Sequence, residues 1–156
     1  MNQRVNRLRQ SSLETRPQLS IERAALLTLR LAKELKHLDR VILGTDAPAG
    51  SGVQPLGIIR LISMLSSLGD VAAEVAFCFA TGNTAKMRKL DCGIIEPGRA
   101  ADFVFLDCAQ HSAGKTLLES VRLGDLPGIG MTVIDGVVRS ERSRNTPPAT
   151  RLPHVV

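Results

Sequence analysis

The stretch Val41-Ile42-Leu43-Gly44-Thr45-Asp46-Ala47-Pro48, with Gly50 and Gly52 just beyond it, decides how the rest of the chain is read. An unbroken apolar run that halts at a cluster of turn formers predicts a short strand enclosed on both faces, ending in a loop. Upstream, Ser20 is placed as an N-cap with Glu22 in the first turn, and Ala24, Leu27, Leu31, Leu35 and Leu38 recur at helical spacing. That pattern predicts an amphipathic helix ending near His37. Downstream, Leu56, Ile59, Ile62 and Leu65 predict a helix from about Pro55 to Leu68, and a second runs from Val71 toward Lys89. Helix, enclosed strand, loop, helix is the order of an α/β barrel unit, so residues 19–90 are expected to form a partial (β/α) barrel segment.

After Leu90 the pattern changes. Gly93-Ile94-Ile95-Glu96-Pro97-Gly98 reads as a turn and Ala101 to Asp107 as a strand, with Asp102 and Asp107 as turn or edge residues flanking it. A helix over Lys115 to Leu123 precedes Met131-Thr132-Val133-Ile134, whose Asp135-Gly136 and following Val137-Val138 predict a two-residue hairpin. Residues 91–140 thus form a β-rich piece with one helix. From Arg139 the chain is polar and basic, and Pro147, Pro148 and Pro153 oppose regular structure, which leaves 141–156 as a tail. Residues 1–18 lack an apolar period, contain Arg16-Pro17 and are expected to be a loose basic arm. There is no internal repeat and no low-complexity tract.

Bulk properties narrow the classes of function. A length of 156 residues with 44% hydrophobic and 22% charged content is that of an ordinary globular domain. With 3% aromatics and neither Trp nor Tyr, the chain cannot assemble the stacking platforms that bind single-stranded nucleic acid. The net charge of +5 is concentrated before residue 41, where nine Lys/Arg face four Asp/Glu. Arg4, Arg7 and Arg9 could touch phosphate or an anionic membrane surface, but a short, unpatterned cluster of this kind is more often a solvated tail. Cys78, Cys92 and Cys108 are odd in number and form no CxxC pair, so a reducing, cytoplasmic setting is expected, with Cys78 and Cys92 acting as small hydrophobes in or near a core. No signal-peptide or membrane-spanning apolar stretch is visible, and neither a nucleic acid nor a membrane is expected as partner.

Several separated segments carry a family likeness. Val41 to Asp46 resembles the last barrel strand of the amidohydrolase superfamily, Ala80-Thr81-Gly82-Asn83 the helical motif that follows it, and Gly93 to Asp102 the return into a β-sandwich; the Asp135-Gly136 hairpin is similar to the closing strands. Within the superfamily the segments Thr45 to Val53, Pro55-Leu56-Gly57 and Ser143 to Ala149 are most similar to the enamidases, which hydrolyse a cyclic enamide. The likeness covers about residues 28–149. It implies an α/β fold: the C-terminal fragment of a TIM-barrel amidohydrolase, its last β/α unit or units, joined to part of the accompanying β-sandwich.

It also implies chemistry. Hydrolysing an unactivated amide near neutral pH requires a hydroxide equivalent, which a divalent metal generates from bound water. A carboxylate beside that water accepts its proton and returns it to the leaving nitrogen. The resemblance gives this role, and a metal contact, to Asp46, at the carboxyl end of a barrel strand where such groups converge. Read from the residues alone, Asp46 before Ala-Pro is better explained as a turn former that bonds its own backbone, and it is the family likeness that favours the catalytic role. Ser51 and Gly52 are implied to shape a substrate pocket for a cyclic amide, or else form a flexible loop over the barrel rim. The loop lacks the Gly-Lys-Ser/Thr of a phosphate cradle.

The complete family enzyme carries a divalent metal, zinc foremost, on a His-x-His pair, a lysine and two further histidines. Here His37, His111 and His154 form no such pair, and Lys33, Lys36, Lys86 and Lys89 fall on predicted helices. Such a site wants three or more protein ligands, so the metal is not expected to be retained by this chain alone. Two outcomes follow: a C–N hydrolase piece that works only beside a complementing chain, or a non-catalytic relic that assembles with itself or another subunit through an exposed barrel edge.

Overall fold

Helix α1 (Arg16–Glu34) opens the computed structural model, which describes residues 16–47 and 54–154 and, within Arg16–Ile21, the backbone only. It is followed by a short 3-10 turn (Leu38–Arg40), α2 (Gly57–Leu68), α3 (Ala73–Ala80), α4 (Gly82–Arg88), β1 (Phe103–Asp107), α5 (Leu117–Arg122), β2 (Gly128–Ile134) and β3 (Val137–Ser140). The strands form one antiparallel sheet in the order β1-β2-β3. Together these elements make a small α/β fragment.

Periodicity locates the helices well and their ends less well. Helix α1 already includes Pro17 and runs through Ser20, so Ser20 is not its cap; proline is compatible with a first turn, where its missing N–H has no intrahelical partner. The buried side of α1 is also not the one expected. Leu29 is 2% exposed and packs with Leu26, whereas Ala24, Leu27, Leu31 and Leu35 face outward, Leu35 with 65% exposure. The helix is apolar on more than one side, and the described residues cover only one of them.

Leu29, Leu65, Val71 and Phe79 form one core cluster, and Ile62, Ala73, Ala76 and Val121 another. Leu43 packs against both, so the apolar run at 41–43 ties α1, α2, α3 and α5 together. That run is extended and half-buried but is not a strand. A ladder requires a neighbouring strand, and no described residues provide one; among them Leu43 makes one backbone hydrogen bond, from its N to Phe79 O at 3.3 Å.

The single helix expected from Val71 toward Lys89 is two helices, α3 and α4, parted at Thr81 with φ −116° and ψ −93°. The Thr81 hydroxyl donates to Phe77 O at 2.9 Å, a back-bond that bends helices, and Gly82 next to it is a poor helix former. Lys89 closes α4 in the left-handed region, with φ 56°. Cys78 is exposed rather than in a core; Cys92 is half-buried, and the buried thiol is that of Cys108.

In the sheet, Asp135 and Gly136 take φ 53° and 73°, as a type I′ turn demands, and this turn joins β2 to β3 as expected. Asp102 has the turn role foreseen for it: its Oδ1 accepts from Asp135 N at 2.9 Å. Asp107 does not. It is 7% exposed, and its carboxylate accepts from Arg151 N and Nε at 2.9 Å each and from Arg151 Nη2 at 3.0 Å. This pair docks the tail. Ala149 bridges Ala109, Thr150 N donates to Cys108 O at 2.9 Å, and Thr146 and Ala149 are buried. The described residues after Ser140 are thus irregular, as the prolines require, yet packed on the sheet through Thr146, Ala149 and Arg151.

Hydrogen bonding from Arg151, the largest cause, and from Cys108 N holds the Asp107 carboxyl at about 2, well below its ordinary 3.8. A depressed acid stabilises the fold above its unfolded value and stops doing so as pH falls through its folded one. The contribution should be complete above about pH 4 and lost toward pH 2. Asp107→Asn should cost about 1–2 kcal/mol at pH 7 in urea unfolding and nothing near pH 2. A substitution in the core should cost more. Phe79 is 0% exposed, and Phe79→Ala should lower unfolding free energy by about 3–5 kcal/mol at either pH.

Candidate active site

Asp46 follows the extended run by three residues and stands at φ 51°, a left-handed conformation that Asp and Asn tolerate better than most side chains. The residue is exposed, and among the described residues its carboxylate takes no hydrogen-bond or ion-pair partner. Thr45 beside it is half-buried, its hydroxyl accepting a long 3.4 Å bond from Ala47 N. A Cβ on Gly57 would come within 2.7 Å of Thr45 Cγ2, so the start of α2 needs glycine for the tip to lie against it. Asp46 is therefore at the open end of the extended segment, next to the first turn of α2. Ser51 and Gly52 lie outside the described residues.

The other potential ligands lie elsewhere. His37, His111 and His154 are each exposed; His37 leads into the 3-10 turn, and His111 sits in a loop with φ 68°. Lys33, on α1, donates to the Asp70 carboxylate at 2.7 Å; that hydrogen bond and the cation's charge hold Asp70 below its usual value. Lys86 lies within α4, and Lys36 and Lys89 just beyond helix ends. Among the described residues no three His, Cys, Asp or Glu side chains gather to hold a metal ion. Asp46 alone does not meet the three or more donors a hydrolytic metal needs, so the described donor set does not fit a complete metal centre.

A cavity of about 900 Å³ is elsewhere too. It lies between α3 and the sheet, with Phe77, Ile94, Phe103, Phe105 and Leu117 in its wall, and does not include Asp46. Its wall is mostly apolar; the carboxylates that line it are engaged elsewhere, Glu96 with Arg99 at 2.8 Å and Asp102 with Asp135 N at 2.9 Å.

The amidohydrolase family model matches residues 4–139. The chain belongs to the amidohydrolase family. It is 43% identical over 122 residues to the enamidase of Eubacterium barkeri, a match spanning 78% of this chain and 32% of that protein. In the crystal structure of enamidase, reported as a member of the amidohydrolase superfamily, it finds a counterpart with TM-score 0.82 and 41% identity, over 84% of this chain and 34% of that one. This amidohydrolase chain thus spans about a third of the length of the relatives it matches, and the shared fold is consistent with part of a TIM barrel.

Within the family frame, Ala80-Thr81-Gly82-Asn83 falls on the α3–α4 junction. Its Asn83 Nδ2 donates to Leu38 O at 2.9 Å and Val41 O at 3.0 Å, more than forty residues back along the chain. Sequence reading placed the motif without seeing that contact. The available signal was an Asn immediately after a Thr-Gly pair, where a helix is prone to break. No comparable signal announced the Asp107–Arg151 pair.

Because the Asp46 backbone is left-handed and its side chain is exposed, the fold does not depend on the carboxylate. Asp46→Gly should leave the thermal midpoint unchanged or raise stability by up to about 1 kcal/mol. A loss larger than that would make Asp46 a structural turn residue.

Proposed function

We propose that this chain is the Asp46-bearing portion of a hydrolase that cleaves a carbon–nitrogen bond, other than a peptide bond, in a small cyclic amide or enamide. The observation that carries the reading is the exposed carboxylate, without a partner among the described residues, three residues past the extended 41–43 run, in a chain 43% identical to an enamidase. Asp46 is the catalytic residue: its carboxylate takes the proton of the attacking water and delivers it to the leaving nitrogen. Ser51 and Gly52, which lie between Asp46 and α2 in the sequence, shape the substrate pocket. Asp46 is also one donor to the divalent metal of the complete enzyme, with zinc the best match to the family's histidine-rich set. The remaining donors and barrel strands come from polypeptide outside this sequence, continuous with it or separate, so these residues alone do not turn over. Three cysteines free of disulfides suit a cytoplasmic setting. Among the described residues no helix is long and apolar enough to cross a membrane.

A second reading, a non-catalytic assembly module, is favoured by the outward row Leu27, Leu31 and Leu35 on α1. Both readings need cover for that face; only the first needs Asp46.

Mixing the chain with zinc and the part of Eubacterium barkeri enamidase that it does not span tests the first reading. Hydrolysis of a cyclic enamide, followed by loss of its ultraviolet absorbance, should appear with the wild-type chain. It should fall by about two to four orders of magnitude with Asp46→Asn. Equal turnover by both would leave the assembly reading. That reading predicts a concentration-dependent dimer or larger species in sedimentation, converted toward monomer by Leu27→Glu and Leu31→Glu together.

A further inference from the structure

An extended segment with no strand alongside must be held in place by something other than a sheet ladder. Beside its apolar packing, the long-range hydrogen bonds that the described structure gives Val41 to Asp46 come from one place, the end of α3 and its break with α4. A side-chain amide has two N–H donors, and Asn83 spends its amide on Leu38 O at 2.9 Å and Val41 O at 3.0 Å, the two carbonyls that bracket the 3-10 turn. A continuous helix would commit the Phe79 carbonyl to the amide four residues on. Because the helix breaks at Thr81, Phe79 O instead accepts from Leu43 N at 3.3 Å and from Thr84 Oγ1 at 2.8 Å. One junction therefore fixes the backbone at residues 38, 41 and 43, and the tip carrying Asp46 begins at the next residue.

We propose that Asn83 is a positioning residue for Asp46, acting through the Leu38–Leu43 backbone to set where the carboxylate at the tip sits. Its importance for catalysis rests on the reading of Asp46 given above; its effect on the tip's geometry does not. The donor requirement is specific. An Asp of the same shape would turn a carboxylate toward two carbonyl oxygens and offer them no proton, so Asn83→Asp should break the hold at nearly constant volume.

The test is amide NMR and hydrogen exchange on the full chain, comparing wild type, Asn83→Asp, Thr84→Val and Met131→Val. Met131 is buried in β2, away from the junction, and controls for general loss of stability. In Asn83→Asp the Gly44, Thr45 and Asp46 amide signals and the Asp46 carboxyl carbon signal should move, and exchange at Leu43 should speed by about tenfold or more. Met131→Val should leave those signals in place, even at an equal loss of thermal midpoint. Thr84→Val, which removes only one bond to Phe79 O, should move the same signals by less, and supplies the answer if Asn83→Asp does not fold. Superimposable tip signals in a folded Asn83→Asp, or equal shifts in Met131→Val, would overturn the proposal. In the zinc-containing mixture with the enamidase portion, Asn83→Asp should lower kcat with little change in KM. If Asp46→Asn turns over normally while Asn83→Asp still moves the tip, the catalytic reading of Asp46 fails and the positioning stands. If Asp46→Asn is inactive and the tip is unmoved, the reverse holds.

Discussion

An element that is apolar on two sides needs cover on two sides, and most of what is distinctive here follows from having cover on one. Val41 to Leu43 is enclosed by α1, α2 and α3 from one direction and has no described strand beside it. Helix α1 buries Leu29 and presents Leu27, Leu31 and Leu35 outward. Strand β1 places Val104 and Phe105 at 55% and 43% exposure, at an edge of its sheet. Burying an apolar side chain stabilises a fold by roughly 1.5–3 kcal/mol, so leaving several outside is a substantial forgone contribution unless other polypeptide covers them. A chain matching a third of an enamidase, with the same local fold, fits that requirement.

What remains ordered under that constraint is ordered by polar contacts at a few junctions. The break at Thr81 is one: it costs a continuous helix and releases Phe79 O and the Asn83 amide to hold a segment from far upstream. The Asp107–Arg151 pair is another, fastening the tail across the end of β1. Arg151 is largely exposed, so the pair's contribution comes mainly from the buried carboxylate being fully hydrogen-bonded and only modestly from charge attraction in solvent. Thr116 is a third, a helix N-cap that accepts from Glu119 N at the start of α5.

The site shows the same division between what a lone carboxylate supplies and what it needs. Asp46 stands exposed at the tip of the segment, a position open to the proton transfer proposed for it. Held geometry matters to such chemistry because small misplacements of the reacting group cost large factors in rate. The histidines each sit on a different loop or turn, and among the described residues no three His, Cys, Asp or Glu side chains gather to supplement it.

Sequence alone determined what depends on neighbours within a few residues. Helical spacing placed α2 and α5 to within about two residues at either end, Asp135-Gly136 specified its hairpin through the positive φ angles that turn requires, and the apolar run ending at Gly44 marked where Asp46 would stand. Tertiary structure decided which side of α1 is buried, since a helix with apolar residues on more than one side carries no preference until a partner surface chooses one. It also decided the partners of Asn83 and Asp107, 42 to 45 and 44 residues away along the chain. Local dihedral preferences and periodicity act over a single turn or strand, whereas those contacts exist only once separate elements have packed, and no spacing in the chain encodes them.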